Sequence, residues 1–210
     1  MRAKTILFYG LAALMAGCLP VFSLHPLARP DNLTFDERLI GVWDDDGKTT
    51  WEFSKATPAD ANGLPDGLDA AAGKLYRLQF RENGRAAGDF IACLVKLGDH
   101  LVLDVFPKAF PSGRTDVETM NLPYNGLFFI RAHTFIRVDD IGDKVKLQRT
   151  DDEAFEKFTK DEPNAIAFTR VDDRVVITAS AADVRAFVSK YIGDDEFFTN
   201  AITLTRQKQN

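Results

Sequence analysis

Cysteine is nearly absent from this chain: two in 210 residues, Cys18 and Cys93. Two thiols cannot build the multi-bridge framework that staples small secreted folds. Histidine is almost as scarce, with His25, His100 and His133 the only three, and none has the helical or Cys-linked spacing of a zinc site. They read as solvated turn or strand-end residues. Gly-rich phosphate loops, a Gly-x-Ser-x-Gly elbow and a Cys-x-x-Cys pair are missing as well. Asp44-Asp45-Asp46-Gly47 lacks the alternating ligands and distal Glu of a calcium loop, and reads as a polar hairpin. The sequence therefore assigns no catalytic residue, metal ligand or cofactor. Positive charge is in deficit, with 26 basic against 31 acidic residues and a net charge of -5. That balance excludes a broad footprint for nucleic acid, and an anionic lipid surface would repel it on average.

The amino terminus has three parts. Arg2 and Lys4 give a positive start, residues 6–16 are uncharged and apolar, and Ala16-Gly17 supply small residues before Cys18. The apolar run falls well short of the roughly 18 residues of a membrane span, and suits the core of an export signal. Met15-Ala16-Gly17-Cys18 resembles the bacterial lipobox, with Met15 where Leu is commoner. The resemblance implies a signal peptide over 1–17, diacylglycerol on the Cys18 sulfur and cleavage before it, and acylation of the new amino terminus. Several acyl chains anchor stably where one does not. Leu19 resembles the sorting pattern that sends lipoproteins to the outer membrane, facing the periplasm. Residues 18–38, with Pro20, Pro26 and Pro30 and no sustained apolar period, read as a lipidated tether. With Cys18 taken by lipid, Cys93 has no intrachain partner. Its apolar surroundings, residues 90–95, mark it as a buried, inert thiol.

From residue 39 onward the signal is short strands between turn residues. The strands expected are 39–44, 48–55, 74–82, 88–97, 100–106, 132–139, 143–149, 165–171, 174–179 and 201–206. Asp46-Gly47, Asn83-Gly84 and Asp172-Asp173 mark tight hairpins. Consecutive hairpins make an antiparallel meander, and a meander of eight to ten strands closes into a barrel because closure removes exposed edges. Residues 56–73 read as a mobile loop and 107–131 as a second long insertion. A capping box at 150–153 starts one short helix. A cap at Ser180 starts another, with Val184, Phe187, Val188 and Tyr191 on one stripe and Gly193 as its stop.

Gly41-Val42-Trp43, opening the first strand of this meander, resembles the Gly-x-Trp signature of the lipocalins and related calycins. The resemblance implies a lipocalin-like barrel over 39–210, closed at one end by Trp43 with a basic residue of the C-terminal part across it. Arg206 is the first candidate for that residue and Arg170 the second. Asp104 interrupts the apolar face of Val102 and Phe106. A carboxylate there needs a partner; Arg81, Arg137 and Arg149 are candidates within a barrel, and orienting a ligand is its other possible role. Two functions fit this reading. One is a membrane-anchored, non-catalytic binder of a small hydrophobic molecule. The other is a structural or protein-interaction lipoprotein of the cell envelope using its long loops. A hydrolase with an unrecognised site is a third and weaker reading.

Overall fold

The computed structural model describes residues 20–45, 49–62, 64, 67–108 and 130–208. Two very short strands come first, β1 (Phe22–Ser23) and β2 (Leu33–Thr34), then a 3-10 turn at Glu37–Leu39. The meander follows as β3 (Gly41–Asp45), β4 (Thr49–Lys55), β5 (Leu75–Glu82), β6 (Arg85–Leu97), β7 (His100–Pro107), β8 (Thr134–Ile141) and β9 (Lys144–Arg149). A short helix α1 (Pro58–Ala61) lies between β4 and β5. After β9 come α2 (Asp152–Asp161), the hairpin β10 (Phe168–Val171) and β11 (Arg174–Ile177), α3 (Ala181–Tyr191) and β12 (Asn200–Arg206).

Strands β3 to β9 pair antiparallel in chain order, and β12 inserts between β9 and β3 to close an eight-stranded, lipocalin-like barrel. Turn chemistry fixes the hairpins locally. Asn83 and Gly84 adopt φ of 51° and 75°, the left-handed pair that a two-residue turn needs, and Glu82 faces Arg85 across it. The remaining pair, β10 and β11, leaves the barrel and joins β1 in a separate three-stranded sheet. Strands of four residues with β10 mostly exposed have too little apolar surface to take a place in the wall.

Alternation along the strands creates two cores. One face of each barrel strand points into the lumen, and there Trp43, Phe53, Tyr76, Leu78, Leu94 and Leu103 pack against β8, β9 and β12. Trp43, Tyr76, Leu78, Leu94, Leu103 and Leu204 are fully buried and Phe53 nearly so, and these side chains occupy the lumen. Leu39, on the 3-10 turn, belongs to the same cluster and plugs one end. The opposite strand face builds a second core outside the barrel, where Ile91, Cys93, Val95, Val102 and Phe106 meet the helices and the small sheet. Helix α3 contributes Val184, Phe187, Val188 and Tyr191, the stripe of the sequence. Phe155 and Phe158 of α2 stack in a cluster with Phe187, Tyr191 and Phe197.

Three expectations are corrected. The lead-in is not a tether from Pro20 onward: Val21, Leu27, Ala28 and Leu33 are buried, β1 pairs with β11, and β2 pairs with β6 beside the start of β5. Two-residue strands are too short to print an alternating pattern, so composition alone reads as linker. Residues 56–73 are largely folded, because Ala56, Ala61, Leu64 and Leu68 pack into the second core. At α2 the N-cap is Asp151, whose carboxylate accepts from Ala154 N at 2.9 Å. Thr150 instead donates to the Phe197 carbonyl at 2.9 Å. The expected signal peptide over 1–17, Cys18, the Asp46-Gly47 turn and most of 107–131 lie outside the described residues.

Candidate functional site

The barrel end at Trp43 is built from three residues. Register places Trp43 of β3 opposite Arg206 of β12. The indole is fully buried, its Nε1–H donates to the Leu39 carbonyl at 2.8 Å, and the Arg206 guanidinium lies 4.0 Å from the ring centroid. Arg206 also donates to the Ile40 carbonyl at 2.9 Å and the Arg38 carbonyl at 2.5 Å, tying the last strand to the backbone of the 3-10 turn. Gly41 makes room for it. Its φ is +138°, and a Cβ there would stand 2.4 Å from Arg206 Nη1. Arg170, the second candidate, is elsewhere, on β10 beside Glu156 at 3.5 Å.

Asp104 faces outward into the second core with Val102 and Phe106, away from the lumen, and is fully buried. Two backbone amides and a histidine engage it. One carboxylate oxygen accepts from the amides of Leu27 and Ala28 at 2.8 and 3.0 Å, and the other from His133 Nδ1 at 2.7 Å. Both oxygens are engaged by the chain itself, which leaves Asp104 a clamp between lead-in and barrel rather than a ligand-orienting group in the lumen. His133 is buried, contrary to the solvated reading, and stacks against Phe106 with ring centroids 4.7 Å apart. Its backbone exchanges two hydrogen bonds of 2.8 Å with Ser23, linking β1 to the residue that leads into β8. Sequence reasoning missed this pair because 29 residues separate its members and no spacing links them. The one available signal was Asp104 itself, a carboxylate on an apolar face.

An Asp–His pair beside a serine invites a hydrolytic reading. The geometry points away from it, since Ser23 Oγ donates to the His25 carbonyl at 2.8 Å and accepts the His25 amide. Several further charged side chains are engaged in ion pairs. Arg81 reaches Glu52 at 3.6 Å. Arg137 donates to Asp139, Asp195 and the Ile192 carbonyl, and lies over Phe198. Lys108 meets Asp60 at 2.5 Å. Burial pushes the Asp60 carboxyl up, but Lys108 and the Thr57 hydroxyl and amide outweigh it and hold it at about 2. The Cys93 thiol is driven up by burial, reinforced by the nearby Asp104 charge, so it is a poor nucleophile.

Among the described residues no group of three or more His, Cys, Asp or Glu could hold a metal ion, and no helix is long and apolar enough to cross a membrane. Open grooves lie on the surface beside Gly41 and Arg206 (about 570 Å3), over α2 (about 720 Å3) and along α3 (about 420 Å3). Compared with known protein families, curated proteins and solved structures, the chain matches none.

Proposed function

We propose that the protein is a lipid-anchored envelope protein that works as an interaction module, holding a lipocalin-like barrel at the membrane surface without catalysis. The observation that carries this reading is the side-chain-filled lumen. A carrier of a fatty acyl chain has a cavity of several hundred cubic ångströms inside its barrel, and here Trp43, Phe53, Tyr76 and their neighbours take that volume. Of the two functions that fit the sequence, the interaction module is therefore preferred to the ligand binder. The lipobox-like Met15-Ala16-Gly17-Cys18 supports the anchor, and Leu19 the outer membrane.

A surface suited to a protein partner is the free edge of β10. Among the described residues β10 pairs only with β11, and Thr169, Arg170 and Val171 are exposed along it. An open edge takes an added strand from a partner through main-chain hydrogen bonds. A photocrosslinker at Val171 in intact cells tests this reading. A discrete protein adduct is expected there, and none from the same group at Asn83 in the β5–β6 turn. Val171 adducts no different from those at Asn83 would overturn it. So would saturable quenching of Trp43 and Trp51 fluorescence by added fatty acid, which the reading predicts to be absent.

A further inference from the structure

We propose that the domain sits directly on the lipid surface in a fixed orientation, with the end carrying residues 150–154 and 195–199 against the headgroups. The Trp43–Arg206 end then faces the aqueous phase. This rests on the reading of Cys18 as the lipid-bearing residue and adds what the fold makes of it.

The argument is one of reach. Pro20, the first described residue, bridges to Asp151, while Val21 is buried, donates to the Thr150 carbonyl at 3.4 Å and accepts from Thr134. Only Leu19 separates Cys18 from that first anchored residue. Two residue steps of fully extended chain span about 7 Å. The polar layer on each side of a bilayer is itself about 5–8 Å deep. Acyl chains on Cys18 thus hold Pro20 at the headgroups, and Asp151 with it. A long tether would let the barrel tumble, but this connection does not have the length.

Charge does not supply the contact. The groove beside Asp151 carries Glu153, Glu156 and Glu196 against Lys157 and Lys160, and Lys157 is itself 3.8 Å from Glu196. The covalent link sets both proximity and direction. Direction follows from β9, which runs from the turn at Asp143 to the α2 end over its six residues. At roughly 3.3 Å per residue this separates the two ends by about 20 Å.

The test uses the full acylated chain in vesicles of phosphatidylethanolamine and phosphatidylglycerol bearing a headgroup-linked energy acceptor. Glu153→Cys and Asp143→Cys each carry a donor dye; both positions are exposed, Cys93 is buried, and acylation occupies the Cys18 sulfur. Energy transfer is expected to be stronger from position 153. A flexible Gly-Ser insertion of about twelve residues between Leu19 and Pro20 removes the difference. Equal transfer from the two positions without the insertion, or stronger transfer from 143, would overturn the seating while leaving the anchor intact. Failure of Cys18 to take up a fatty-acid probe in cells would overturn the anchor, and the seating with it.

Discussion

Removing the Arg206 guanidinium takes away a cation–π contact worth about 0.5–1 kcal/mol at an exposed site, together with two hydrogen bonds to carbonyls of the 3-10 turn. Arg206→Ala is therefore expected to lower the chemical-denaturation stability by about 1–3 kcal/mol. Gly41→Ala costs more in the wild type than in the Arg206→Ala background, because one part of its penalty is the clash with Nη1 and the other is the positive φ. Additive effects in that double-mutant cycle would contradict the packing described. Asp104→Ala strands the amides of Leu27 and Ala28 and the imidazole of His133 in the second core, at about 1–3 kcal/mol for each buried group left unsatisfied. Protease cleavage within the lead-in of that variant is the sensitive readout. Asp60 gives a pH signature. Its folded carboxyl stands near 2 and its unfolded value near 4, so its stabilisation is present above about pH 4 and disappears as pH falls through 2. Asp60→Asn flattens the urea midpoint over that window relative to wild type. At this scale the sequence displayed the oddity of Asp104 but not its partners. Backbone amides leave no mark in the residue order, and His133 meets it only after the β7–β8 register is set.

Elements were legible where they are long and repetitive. The strands of the barrel wall showed as short apolar runs between turn residues, continuous in β6 and β7 because both their faces are covered, and the stripe of α3 showed as period 3.6. The lead-in was illegible for the opposite reason. Its strands are two residues long, and its hold comes from scattered anchors: the bridge from Pro20 to Asp151, the Asp104 clamp, and Lys96 N donating to the Asn32 carbonyl. Likewise the β10–β11 hairpin announced itself as a hairpin, but nothing local tells a barrel strand from one packed on the outside. Deleting residues 20–34 removes Val21, Leu27, Ala28 and Leu33 from the second core. The truncated chain is expected to lose several kcal/mol and to bind a hydrophobic dye that the intact domain excludes. Unchanged stability on deletion would restore the tether reading.

Across the whole molecule, one closed sheet serves two apolar interiors. Inward residues of β3 to β9 and β12 fill the lumen, and outward residues support the helices, the small sheet and the amino-terminal segment. A barrel loaded on both faces gains rigidity and leaves little room to carry cargo. Under the proposed anchor, the seating of this body at the membrane would follow from the single residue between Cys18 and Pro20. The most direct test is native mass spectrometry of the protein purified gently from cell membranes. The account predicts a chain beginning at Cys18 whose mass exceeds the polypeptide by its acyl groups alone, with nothing held non-covalently. An apolar small molecule retained at one per chain would contradict it.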